Sequence, residues 1–162
     1  SVLDRDLTAP PGSPNDGDRY IVASGGTGAT NYWLNSFLFG DDQRNWSIAV
    51  DSAGVPKVGF FVGGDQAVQD AGIDIRGAGP VVIRAARNGT LLSLQAANRS
   101  VVSLDTGQTG VTGGSRLAVG DSGSGGFAGS VAIYGFTGLL STSERASMYG
   151  FLGSTYPSIT TP

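Results

Sequence analysis

Cysteine and histidine are both missing from the 162 residues. Without cysteine there is no disulfide framework and no thiolate metal site. Without histidine the chain lacks the usual general base, the commonest zinc ligand and the proton carrier of serine and cysteine triads. Charge is scarce as well: charged residues form 14% of the chain, 10 basic against 13 acidic, for a net charge of −3. A nucleic-acid partner needs a basic face that releases counterions, and scattered cations do not build one, so the composition argues against nucleic-acid binding. No apolar run reaches the roughly 18 residues of a membrane span, and Ser1–Leu7 lacks the charged and apolar regions of a signal peptide. The expectation is a soluble protein without membrane insertion.

What is abundant is glycine, at 27 residues, with 7 prolines. The glycines punctuate apolar runs and form no low-complexity block, which is the pattern of a many-turned β protein. A chain of this length supports one core, burying roughly 70% of its unfolded surface. Three prolines, Pro10, Pro11 and Pro14, deny backbone donors to a ladder, so residues 1–17 read as an extended N-terminal arm. A strand is expected over Arg19–Ala23, followed by strand-like runs in NYWLNSFLF, WSIAVD, VPKVGFFVG and GIDIRG. Residues 81–107 read as a three-stranded meander with Ile83, Leu92, Leu94 and Val102 in the core. Asn88-Gly89 is its first turn, expected as type I′ with positive φ at both residues, and Asn98-Arg99 its second. Two more strands are expected at 115–119 and 127–134. Ser141 and Glu144 then form an S-x-x-E capping box for a short helix with Met148, Tyr149 and Leu152 inward and Gly153 as its stop. Strands without intervening helices cannot make a parallel crossover sheet, so the fold class is an all-β antiparallel sandwich over residues 18–156, with a tail at 157–162.

The second half of the chain resembles the concanavalin A-like, laminin G-like jelly rolls. Gly120, Phe127, Gly129, Val131, Ile133, Tyr134, Leu140, Ser141, Glu144, Arg145 and Leu152 fall on that family's pattern of a strand, a glycine-rich loop, a further strand and a capped C-terminal helix. The N-terminal stretch LTAPPGSPNDGDRYIVASGGTGA is similar to a motif of tail-fibre and head-spike proteins of phages and gene transfer agents, through Pro10, Pro11, Pro14, Gly17, Asp18, Arg19, Tyr20 and Val22. Together the resemblances imply a virion surface protein, extracellular and oligomeric, that docks to host surface polysaccharide and to other virion proteins. The rival implied role is a purely structural module, a capsid decoration or fibre spacer. An endoglycosidase acting on capsule is a third.

Each motif that could suggest catalysis has a plainer reading. VGDSGSGG, residues 119–126, resembles a protease or esterase nucleophile motif, but Ser122 has no histidine to take its proton and Lys57, the only lysine, lacks the S-x-x-K spacing. Gly123, Gly125 and Ala128 satisfy G-x-G-x-x-A with no βαβ unit around them. A retaining glycosidase needs two carboxyl groups about 5 Å apart. Asp70 and Asp74 alone have suitable spacing, across an Ala-Gly turn. No enzyme activity is expected. The candidate glycan contacts are Trp33 and Trp46, whose faces suit a pyranose, with Asn98, Arg99, Asp121 and Ser122 in the loops at one rim. Phe60 and Phe61 point to opposite faces of one strand, so one of them needs cover outside the core. No cofactor is required. Asp41, Asp42 and Asp121 are the candidates should calcium bind.

Overall fold

The computed structural model describes residues 17–25, 37–41, 47–50, 54–61, 65–69, 72–75, 79–107, 117–119 and 129–161. Ten strands and one helix follow in order: β1 (Gly17–Gly25), β2 (Phe37–Asp41), β3 (Ser47–Val50), β4 (Pro56–Phe61), β5 (Asp65–Gln69), β6 (Val81–Asn88), β7 (Leu91–Ala96), β8 (Val102–Asp105), β9 (Leu117–Val119), β10 (Gly129–Thr137) and α1 (Thr142–Thr155). They form two five-stranded sheets, ordered β10-β1-β6-β7-β8 and β5-β4-β3-β2-β9. Every strand pair within them is antiparallel.

Side-chain alternation divides the first sheet into two buried faces. Ile21, Ala23, Val81, Ile83, Ala85, Leu92, Leu94 and Ala96 point to one side, where Ile75 and Ala97 join them in one core cluster. On that side β4 and β5 lie against β7 and β8. Tyr20, Val22 and Val82 point to the other side and are covered by Met148 and Leu152 of α1. Because both faces are covered, β6 is buried continuously from Val81 to Arg87. Its sequence, VVIRAAR, is accordingly a near-continuous run and not an alternating one.

A charge pair sits inside the helix-covered face. Arg84 Nη2 lies 2.6 Å from Asp18 Oδ1, and Asp18 is fully buried. The other carboxylate oxygen, Oδ2, accepts the Leu140 backbone N–H at 2.9 Å, pinning the lead-in to α1 onto β1. The helix then starts as expected. Ser141 is the N-cap, Glu144 Oε2 accepts the Ser141 N–H at 2.8 Å, and the Glu144 N–H reaches Ser141 Oγ at 3.3 Å. The Ser141 hydroxyl, donating to Glu144 Oε2 at 2.6 Å, and then the Ser141 N–H hold the Glu144 carboxyl below its ordinary range.

Several expectations are corrected. The helix does not stop at Gly153: it runs on to Thr155, because Leu152 and Tyr156 still pack against the sheet, and Pro157 follows. The β6–β7 turn is displaced by one residue. Asn88 pairs with Leu91, leaving Gly89-Thr90 as the loop, with positive φ (58°) at Gly89 alone. That pattern excludes type I′ and is the one expected of type II′. The second turn is likewise shifted, with the positive φ (49°) at Ala97. GIDIRG makes no strand over its described residues. The strand lies earlier, at Asp65–Gln69, while Gly72–Ile75 is irregular and sends Ile75 into the core. Of the four core positions expected in the meander, Ile83, Leu92 and Leu94 are fully buried and Val102 packs at the margin. Which faces Phe60 and Phe61 occupy lies outside the described side chains.

Candidate functional site

The described part of the site is the turn joining β7 to β8. Three backbone restraints fix it: the Ala97 N–H donates to Val82 O at 2.9 Å, the Arg99 N–H donates to Ala96 O at 3.1 Å, and Ile75 N–H donates to Gly54 O at 2.9 Å on the flanking segment. A side-chain clamp adds to them, Gln95 Nε2 donating to Arg99 O at 2.9 Å. Asn98 and Arg99 stand exposed on this frame. The Arg99 guanidinium lies across Gly72, so closely that a Cβ at position 72 would collide with it. Residue 72 therefore has to lack a side chain if Arg99 is to keep this pose. Sequence reasoning had no signal for that dependence, because the two residues are distant in the chain.

Strand register shows which loops share this rim. At the same end of the first sheet, Gly25 pairs with Gly129, Ala23 with Val81 and Leu94 with Val102. In the second sheet the corresponding end holds Phe37, Val50, Pro56, Gln69 and Val119, joined to the first through Gly72 beside Arg99. The connection 26–36, which carries Trp33, is anchored at both ends here, at Gly25 and Phe37. So is the connection 120–128, which carries Asp121 and Ser122, between Val119 and Gly129. Those three residues lie outside the described ones, as do Trp46, Asp42 and Asp70.

Asp41, a further described candidate, belongs to the opposite rim. Asp41 ends β2 across from Leu117, and the connection from Asp41 to Ser47, with Asp42 and Trp46 in it, is anchored there. Of the three calcium candidates only Asp41 is among the described residues. Among the described residues no group of three or more carboxylates is gathered to hold a metal ion, and no helix is long and apolar enough to cross a membrane.

No protein-family model and no curated protein matches the sequence. Solved structures do. The CBM40 module of the Ruminococcus gnavus IT-sialidase, bound to α2,3-sialyllactose, aligns with a TM-score of 0.64 at 12% identity over 88% of this chain and 84% of that one. The same module bound to α2,6-sialyllactose aligns at 0.61, with 13% identity over 87% and 84%. A heptameric SAP-like pentraxin from Limulus polyphemus aligns at 0.56, with 12% identity over 86% and 71%. The fold is a concanavalin A-like jelly roll. In this jelly roll the residues of the N-terminal motif that are described, Gly17, Asp18, Arg19, Tyr20 and Val22, are all buried in β1. Their visible work is to hold the sandwich and its helix together.

Three phenols in the helix-covered face stay protonated at neutral pH. Burial raises the Tyr20 phenol far above its ordinary value, helped by the nearby Asp18 carboxylate, and burial likewise raises Tyr149. Tyr134, partly buried and hydrogen-bonded to Tyr156 at 2.7 Å, is pushed up to about 12. Phenols in that range remain protonated and cannot act as general bases.

Proposed function

We propose that the chain is a non-enzymatic glycan-binding module. It is carried at the surface of a phage or phage-like particle and grips host cell-surface polysaccharide at the rim built around Asn98 and Arg99. The observation that carries this reading is the turn itself: a backbone fixed by hydrogen bonds that leaves an amide and a guanidinium exposed together. A turn whose backbone is already held costs little further ordering on binding, which favours affinity from few contacts. Trp33, Asp121 and Ser122 would complete the site from connections anchored at the same rim, the indole offering a stacking face. The CBM40 neighbours carry sialyllactose on the same fold, which supports a sugar ligand. The N-terminal motif supports the virion setting, and several copies on one particle would multiply weak single contacts. The absence of histidine and cysteine supports a role without turnover. Calcium is not needed in this reading.

The test is multivalent display of the full chain against bacterial capsular and lipopolysaccharide glycans, with and without millimolar calcium. A binder should emerge whose affinity falls about 10- to 100-fold in Arg99→Ala, the scale of one lost charge-assisted hydrogen bond. Gly72→Ala should weaken it similarly by displacing the guanidinium, with melting unchanged, and Trp46→Ala should leave it intact. No binder in the set, or a binder indifferent to Asn98→Ala, Arg99→Ala and Trp33→Ala together, would remove the proposal.

A further inference from the structure

The first sheet ends in an edge that natural sandwiches seldom leave open. β10 is nine residues long, its register with β1 is unbroken from Asp18–Phe136 to Gly25–Gly129, and no described strand pairs with its outer side. Its sequence, GSVAIYGFT, contains no charge and no proline. Long, flat, uncharged edges recruit further strands, and proteins normally blunt them with lysines, prolines, bulges or brevity. The other edges follow that practice. β8 has four residues and ends in Asp105, β5 begins at Asp65 and is mostly polar, and β9 has three residues. Apolar surface continues from β10 onto the helix. Phe151 is 47% exposed and stands edge-to-face against Tyr134 of β10, with ring centres 5.6 Å apart, and Leu139, just past the strand, is 43% exposed.

We infer that this edge is a homodimer interface, β10 of one copy pairing antiparallel with β10 of a second about a two-fold axis near Ile133. A two-fold contact must be self-complementary, and an uncharged strand paired antiparallel with itself meets no like charges. The axis near mid-strand brings Tyr134 and Phe151 of the two copies together on the helix side. The size is adequate: a strand about 30 Å long, at the edge of layers spanning about 20 Å, offers on the order of 600 Å² per copy, the lower end of stable interfaces. The competing occupant within the chain is the segment 1–16. Its Pro10, Pro11 and Pro14 deny ladder donors only beyond residue 9, and the proline-free stretch before them carries Asp4, Arg5 and Asp6, three charges within nine residues, where a second β10 carries none.

Sedimentation equilibrium of the full chain between 1 and 100 μM tests this. A dimer is expected, with β10 amides more slowly exchanging at high protein concentration. Phe151→Lys and Leu139→Lys, both at exposed positions, should each raise the dimer dissociation constant at least 100-fold with the circular dichroism of the monomer unchanged; Leu139→Lys should also leave its melting unchanged, whereas Phe151→Lys gives up the edge-to-face contact with Tyr134 and should lower it slightly. A monomer at 100 μM would overturn the inference, whether its β10 amides exchange freely or are protected by its own N-terminal segment. So would an odd number of subunits, or a dimer that survives both substitutions.

Discussion

The Asp18–Arg84 pair is the most consequential polar contact in the helix-covered face, and a double-mutant cycle measures it. Asp18 is fully buried and the Arg84 side chain is 10% exposed, so neither charge can be screened by water once its partner is gone. Asp18→Asn keeps an oxygen for the Leu140 N–H but leaves the guanidinium uncompensated, and Arg84→Met leaves the carboxylate uncompensated. Each single change should cost about 3–5 kcal/mol. The double variant removes both charges while retaining the Leu140 hydrogen bond and much of the aliphatic volume, so it should cost no more than either single change. The resulting coupling is about 3 kcal/mol, near the upper range for contacting residues. Urea unfolding at pH 7, followed by circular dichroism, reads all four proteins, and a domain of ordinary stability, about 5–15 kcal/mol, tolerates each variant. If the double variant loses the sum of the two single losses within about 0.5 kcal/mol, the charges do not compensate one another and the account of the buried Asp18–Arg84 pair fails.

Two further outcomes follow from local geometry. Gly89→Ala should destabilise the chain by roughly 1 kcal/mol or somewhat more, because φ is 58° there and a β-carbon disfavours it, whereas Asn88→Thr should be tolerated, since Asn88 sits in the ladder. The capping carboxylate gives a pH signature: Glu144 is held below its ordinary value of 4.5 by Ser141, so the folded state favours its charged form. The stabilisation is present above the unfolded pKa and is lost as pH falls through the lower folded pKa. Melting temperatures of the parent and Glu144→Gln should therefore differ most near neutrality and converge in acid below about pH 4. A constant difference down to pH 2 would contradict the cap's contribution.

Much of this architecture could be read from local signals. The S-x-x-E box needs four consecutive residues, and it placed the start of α1. Alternation placed Ile83, Leu92 and Leu94 in the core, because a β-hairpin with one face toward a second sheet repeats every two residues. What escaped was decided by contacts between distant parts of the chain. Gly153 reads as a helix stop, yet packing of Leu152 and Tyr156 on the sheet outweighs one glycine, whose cost in a helix is about 1 kcal/mol. Ile73 and Ile75 alternate like a strand, yet they reach the core from an irregular segment bonded to Gly54. Asp18 was legible only as part of a motif, and Arg84 not at all, because their pairing depends on β1 and β6 being neighbours. At the site, Asn98 and Arg99 were read from turn chemistry. The restraint that poses Arg99, an empty position at Gly72, was beyond reach of any window of sequence.

The layering also explains how such a chain can carry a recognition site on its loops. β1 and β6 are buried from both sides, by β-sheet on one face and α1 on the other, so the cohesive contacts are concentrated in the middle of the first sheet. The rim turn contributes little to that core beyond Ala97, while Asn98, Arg99 and Ser100 are exposed. Substitutions there trade against water and not against packing, so they are free to change with the ligand at a cost within about 0.5 kcal/mol of stability. The residues that must stay fixed are those behind the turn, Val82, Gln95 and Gly72, which hold its backbone and its guanidinium in place. On the proposed glycan-binding reading, specificity would drift at positions 98 and 99 while the frame that aims them is held by the packing of the sandwich itself.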